Sequence, residues 1–342
     1  VKILVIQTAF PGDAILTLPL IQEINRIFIS AQVDVVCIPS TSIIFRSSNY
    51  VNEVIEFDKR NKNKGISGLI KFANYIKSKE YDKIYSPHRS ARSAILSFLS
   101  NPKESYSFDK SSLNFLYKNK IKYESDWHEV RRNLSLLGKN YSDESWKILP
   151  KLSLSDDKRK VVDAKIKVVD QKKMIVLAPG SVWATKRYPI NYFKVISEEL
   201  IKNRYQIVII GGKEDKQLTE EISVGNKEII NLCGELNFIE SIYLLTKSIL
   251  LISNDSAPTH LAMCADIPVL TIYCSTVPKF GFYPYNTDSR VISYDKLDCK
   301  PCGIHGYDKC PEIHFNCGKY LKPERVLEEI NSILMERYSL HN

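Results

Sequence analysis

No stretch of this 342-residue chain approaches the roughly 18 consecutive apolar residues of a membrane-spanning helix. The opening VKILVIQTAF lacks the cleavage site of a secretory signal and reads as the start of a strand. A cytoplasmic location is therefore expected. The eight cysteines are too few for a disulfide scaffold at this length. Cys37, Cys233, Cys264 and Cys274 stand singly in apolar segments, as core residues do. There is no complete Gly-rich dinucleotide fingerprint, which disfavours a dehydrogenase. Basic residues form no standout run, which disfavours nucleic acid as a partner.

What is present describes a soluble globular protein with room for two domains: 44% apolar residues and 25% charged ones. The 48 Lys and Arg against 39 Asp and Glu give a formal charge of +9. That suits an anionic partner such as a phospholipid surface or a phosphorylated glycan, and equally suits a chain that is simply lysine-rich.

Short runs of Ile, Val and Leu mark strands at Lys2–Thr8, Gln32–Pro39, Val54–Asp58 and Tyr81–Ser86. Helical spacing lies between them at Ala14–Phe28, after a turn at Phe10-Pro11-Gly12-Asp13 and with a kink expected at Pro19, then at Gly68–Ser78 and Arg89–Leu99. From Asn101 to Leu154 the text is polar, aromatic and irregular, with one helix expected at Trp127–Leu137, and Asp156–Gln171 reads as a helix or linker. The pattern restarts at Met174–Ala178 and repeats through Tyr205–Gly212, Ile229–Cys233, Ile249–Asn254 and Pro268–Cys274. Strands alternating with helices imply parallel sheets covered on both faces. The expected division is 1–165 for a first domain and 170–322 for a second, with a cysteine-rich loop at 299–317. A last helix at 323–342 is expected to pack back on the first domain. Two such doubly wound domains would face each other, with ligand between the carboxyl ends of their strands.

The stretch SILLISNDSAPTHLAMCADIPVLTIYCS, Ser248–Ser275, concentrates the chemistry. A strand ends in Asn254-Asp255-Ser256, and a helix opens whose free N–H groups and dipole favour an anion, phosphate above all. Asp255 is placed for sugar hydroxyls, the Ser256 and Ala257 amides for phosphate, and His260 lies one turn in. After the first strand of the second half come Gly180-Ser181 and Lys186, suited to phosphate oxygens and a diphosphate. Glu214, after Gly211-Gly212, is placed for ribose hydroxyls or for capping a helix. Gly12-Asp13 follows the first strand, where Asp13 serves either as a helix cap or as a base.

Gly12-Asp13, Pro179–Pro189 (PGS…TKRYP) and Asn254–Ala262 (NDSAPTHLA) together resemble glycosyltransferase family 9, the bacterial ADP-heptose:lipopolysaccharide heptosyltransferases, and are closest to its heptosyltransferase II-like members. The likeness covers nearly the whole chain in the right order. It implies α/β domains in the GT-B arrangement, two Rossmann-like units, and an inverting, metal-independent transfer. By this resemblance Asp13 matches the catalytic base and Lys186 the diphosphate lysine. Gly12, Ser181, Glu214, Asp255, Ser256, Ala257 and His260 match donor-side positions. The implied donor is ADP-heptose, and the implied acceptor a phosphorylated glycolipid of the lipopolysaccharide inner core, met peripherally at the inner membrane. Competing readings are a family 9 transferase with another sugar or a protein acceptor, and a nucleotide-sugar-binding protein without catalysis. No Asp-x-Asp metal site lies near these motifs. No cofactor is expected for catalysis. Cys299, Cys302, Cys310 and Cys317, with His305 and His314 between them, have the spacing of a structural zinc or iron site, with reduced or disulfide-bonded cysteines as the alternatives.

Overall fold

The computed structural model describes residues 1–139, 141–166 and 174–339. The chain divides into two compact units, Val1–Ser153 and Leu154–Asn342. The first contains β1 (Lys2–Gln7), α1 (Pro11–Ile27), β2 (Gln32–Cys37), α2 (Ser42–Arg46), β3 (Glu53–Glu56) and α3 (Gly65–Lys77). It continues with β4 (Lys83–Tyr85), α4 (Ala91–Leu99), β5 (Glu104–Phe108), β6 (Asn119–Ile121) and α5 (Glu129–Ser135). The second contains α6 (Asp156–Ile166), β7 (Met174–Ala178), α7 (Ile190–Lys202), β8 (Gln206–Ile209), α8 (Lys216–Ser223) and β9 (Ile229–Asn231). After these come α9 (Phe238–Thr246), β10 (Leu250–Asn254), α10 (Ala257–Ala265), β11 (Val269–Tyr273), β12 (Arg290–Ser293), α11 (Asn316–Lys319) and α12 (Pro323–Ser339).

Each unit holds one six-stranded sheet, ordered β3-β2-β1-β4-β5-β6 in the first and β12-β11-β10-β7-β8-β9 in the second. Read from each unit's own first strand, both sheets run 3-2-1-4-5-6, and every pairing is parallel. The expected class, two doubly wound α/β domains, is met. The central strands explain why: Ile3–Ile6 and Met174–Leu177 have no exposed side chain, as strands covered on both faces require. A fully buried Leu, Ile or Val contributes about 1.5–3 kcal/mol. The topology places a switch point between β1 and β4 in one unit and between β7 and β10 in the other.

Several expectations are corrected. Phe10-Pro11-Gly12-Asp13 is not a turn before the helix; Pro11 opens α1, and the helix runs unbroken through Pro19. Proline at a first position loses no intrahelical bond. The irregular region holds strands β5 and β6, whose sequences ESYSF and NKI carry too little apolar patterning to announce themselves. α6 belongs to the second unit, since it packs on α9, buries Val162 and Ile166, and pairs Asp163 with Lys247 and Lys165 with Glu235. Residues 167–171 of the expected helix or linker lie outside the described residues. Val326, Ile330, Ile333 and Leu334 of α12 join the second unit's own core, where a return to the first domain was expected. Among the described residues no helix is long and apolar enough to cross a membrane.

Candidate active site

In the second unit, three strand ends converge on one carboxylate. Asp255, just past β10, has its Oδ2 within 2.6 Å of Lys186 Nζ and accepts a 2.7 Å hydrogen bond from Thr276 Oγ1, beyond β11. Asn254 fastens the turn after β7 to the turn after β10. Its side-chain carbonyl accepts from Tyr188 N at 3.0 Å, and its amide donates to Pro179 O at 2.6 Å. Ser256 Oγ donates to Gly180 O at 3.2 Å. The Lys186–Asp255 pair is nearly closed off, with side chains 14% and 11% exposed, where a charge pair is costly unless fully hydrogen-bonded.

α10 begins at Ala257 with Ser256 as its cap residue and Pro258 in its first turn, so its amide end opens beside Asp255. His260, one turn in, is buried, and its Nδ1 has no hydrogen-bond partner. Burial pushes its imidazole down to about 4, the Lys186 charge adds to this and the Asp255 carboxylate opposes it, so the ring is neutral at pH 7. Ser181 is buried beside these groups, its carbonyl held by Arg187 Nε at 2.7 Å.

Glu214 is exposed, its carboxylate folded against Gly212, where a Cβ would lie 2.3 Å from Oε1. The buried acid is its neighbour. Asp215 accepts from Gly212 N at 3.0 Å, and a Cβ on Gly180 would lie 2.2 Å from its Oδ2. Asp215 therefore wedges the turns after β7 and β8 together. Sequence reasoning missed it, although its position three residues after Gly212 is that of a helix-capping acid.

Gly12 and Asp13 belong to the first unit, in the first turn of its α1. Asp13 is partly buried and accepts from Phe10 N at 3.3 Å. Burial, then the nearby Glu129 charge, raise its carboxyl to about 7, against the pull of backbone N–H groups and of Arg89. Glu129 is itself pushed up by burial and held by Arg132 Nη1 at 2.9 Å. Arg89 stacks on Tyr123, 4.1 Å from the ring centre. His88, at the β4 end of the same switch point, lies 2.8 Å from Thr8 Oγ1 through Nδ1, and burial lowers it to about 4. Glu129, Arg89 and His88 were all missed, because the packing of α5 on α1 and the pairing of β1 with β4 bring them to this end of the sheet.

The cysteine-bearing loop reaches the second unit's cluster without forming a metal site. Thr185 N donates to Tyr307 O at 3.0 Å, and Tyr307 N returns a 2.8 Å bond to Thr185 Oγ1. Cys299, Cys302, Cys310 and Cys317 are free thiols. Among the described residues no group of three or more His, Cys, Asp or Glu is gathered to hold a metal ion. Cys317 is committed to the apolar core with Cys274, burial pushing its thiol up to about 11, while Cys302 Sγ points at Cys299 O, 3.4 Å away. Cys302 lies within electrostatic reach of Cys299 and Cys310, and Cys317 within reach of Cys302 and Cys310, so the four thiols are neighbours without being drawn into one ligand shell.

The description "Glycosyltransferase family 9 (heptosyltransferase)" matches residues 69–307. The chain belongs to glycosyltransferase family 9 and is an enzyme of the glycosyltransferase class. Lipopolysaccharide heptosyltransferase 2 of Salmonella typhimurium is 24% identical across 98% of this chain and 99% of its own. Among solved structures, Escherichia coli ADP-heptose lipopolysaccharide heptosyltransferase II superposes with a TM-score of 0.81 at 22% identity, covering 99% of this chain and all 100% of that one. The iron-containing dodecameric glycosyltransferase TibC of enterotoxigenic E. coli is more distant, with a TM-score of 0.60 at 15% identity over 97% of this chain and 78% of its own. These likenesses extend over both units and show the GT-B fold of the family 9 transferases.

Proposed function

We propose that this family 9 enzyme transfers a heptose from ADP-heptose to the inner core of lipopolysaccharide, with inversion at the sugar carbon. The observation that carries the reading is the Lys186–Asp255 pair at the second unit's switch point, beside the opening amides of α10. A lysine and a helix amide end in one spot suit a diphosphate, whose charge grows as it leaves. In this reading Lys186, Ser181, Ser256 and Ala257 hold the diphosphate. Asp255 and neutral His260 face the sugar, Glu214 accepts from the ribose, and Gly12 meets the donor from beside the base. The charge is met by fixed donors, so catalysis requires no cofactor.

The first unit supplies the base. Asp13, with its carboxyl near 7, is half-ionised at neutral pH and takes the proton of the acceptor hydroxyl as that oxygen attacks the sugar. The sugar–phosphate bond breaks on the opposite side, and ADP leaves with the electron pair. In this reading the enzyme is cytoplasmic and peripheral to the inner membrane: the net charge of +9 suits a phosphorylated glycolipid acceptor, and the scatter of the basic residues argues against a nucleic-acid partner.

The test is ADP release from ADP-heptose with an inner-core acceptor, run against UDP- and GDP-sugars. Faster release from another donor would overturn the donor assignment. Binding isolates the second unit's part: Lys186→Ala should weaken ADP roughly 10–100-fold, the equivalent of about 1.5–3 kcal/mol for a hydrogen bond to a charged group. An unchanged dissociation constant would put the diphosphate elsewhere.

A further inference from the structure

The cysteine-bearing loop was singled out for its thiols, yet what it brings to the donor cluster is a histidine. The loop is pinned on both sides of His305. Upstream, Cys302 N donates to Ser275 O at 2.9 Å, beyond β11; downstream, Tyr307 exchanges two hydrogen bonds with Thr185. Ser275 Oγ donates to Thr185 Oγ1 at 3.0 Å, so the two anchors share one hydrogen-bonded strip. Between them Gly306 is buried with φ +82°; a Cβ there would lie 3.0 Å from Thr185 Oγ1 and 3.1 Å from both Lys186 Cγ and Ser275 Oγ. Only a glycine lets the backbone lie this close to the stem of Lys186.

We propose that His305 is a diphosphate-contacting residue of the donor site, carried to the rim of the Lys186–Asp255 pair by the Cys302–Tyr307 strap. This rests on the reading that the second unit binds a nucleotide diphosphate. His305 is exposed, and its side chain makes no hydrogen bond to any described residue. Lys186 shares its ammonium with Asp255, Lys300 donates to Tyr273 O at 3.0 Å, and Arg187 donates to Ser181 O, so a further donor beside the pair would strengthen the grip on an arriving diphosphate. Both His260, which is buried, and His305, which is exposed, interact electrostatically with Lys186 and Asp255. Partial burial and the Lys186 charge hold the His305 imidazole below its usual range, with Asp255 opposing, and an anion beside it would reverse that balance.

Calorimetry of ADP binding to the full chain tests this, with three variants and their melting temperatures. His305→Leu should weaken ADP roughly 5–30-fold, the loss of a charge-assisted hydrogen bond, with melting unchanged. His305→Lys, which restores a cation, should bind ADP within about threefold of the unsubstituted protein, against the loss expected for a missing charged contact. Unchanged affinity in the Leu variant would overturn the proposal, and so would equal losses in Leu and Lys, which would mean loop shape matters rather than charge. Lys186→Ala separates the two readings. If it weakens ADP while His305→Leu does not, only this inference falls; if the unsubstituted protein binds no ADP, the donor-site reading falls with it.

Discussion

Asp13 carries a carboxyl raised to about 7 because it is partly buried and shares its surroundings with Glu129. A base must be ionised to accept a proton, so kcat/KM should fall tenfold per pH unit below about pH 7. Glu129→Gln removes the like charge and should move that limb to lower pH; an unmoved limb would show that Asp13 is not the titrating base. Asp13→Asn should lower turnover about 10²–10⁴-fold while leaving ADP affinity intact. It should also stabilise the protein. The folded carboxyl titrates near 7 and the unfolded one near its usual value of 3.8, so its ionisation costs the folded state stability progressively between those values. The variant's melting temperature should therefore gain most above pH 7 and nothing below pH 4. Much of this residue scale was legible in sequence. Asp13, Lys186 and Asp255 follow strands whose apolar runs are unmistakable, and a polar residue at such a strand end has few other duties. Glu129 beside Asp13 and His305 beside Lys186 were not legible, because those neighbours lie far away in the chain; Asp215 had a local capping signal toward Gly212, but nothing local announced its meeting with Gly180.

The turns are the working elements, and each is shaped by a neighbour's side chain. Gly180 sits against Asp215, where a Cβ would lie 2.2 Å from Oδ2, and Asp215 is itself fastened to Gly212 N. Gly180→Ala must move that carboxylate. A forced fit of this kind costs about 1–3 kcal/mol, so the variant should melt lower and bind ADP more weakly, as thermal unfolding with and without ADP would measure. Unchanged melting would mean that Asp215 swings aside freely. Strands were legible in proportion to their burial: β1, β2, β7, β8, β10 and β11 are covered on both faces and read as unbroken apolar runs. β6 and β12 lie at sheet edges, and β5 alternates Ser with aromatics, so their pattern is mixed. The first turn of α1 was misread for a different reason. Pro-Gly is a turn signal in most settings, yet proline is equally at home in a helix's first turn, and only the following apolar spacing decides.

The whole molecule is two units, each with its own sheet and its own core. ADP should act first on the second. At 100 times its dissociation constant it should stabilise that unit by about 2.7 kcal/mol. Hydrogen exchange should then slow at the turns after β7 and β10 and at the start of α10. Exchange there unaffected by ADP would remove the donor assignment. The amino-acid sequence by itself determined the class of fold, the repeat of strand and helix that makes two sheets, and the strand-end residues from which family 9 was legible. Those features are written in short-range periodicity, which burial on both faces of a parallel sheet imposes on every central strand. Tertiary structure decided the rest: that Lys186 meets Asp255, that α6 and α12 belong to the second unit, and that the cysteine-bearing loop is strapped to Thr185 and Ser275. It also decided that Glu129 raises Asp13 and that a distant loop lays His305 beside the donor turns. Each of these is a contact between segments far apart in the chain. Strand order and loop closure fix such contacts, and neither leaves a mark on the local sequence.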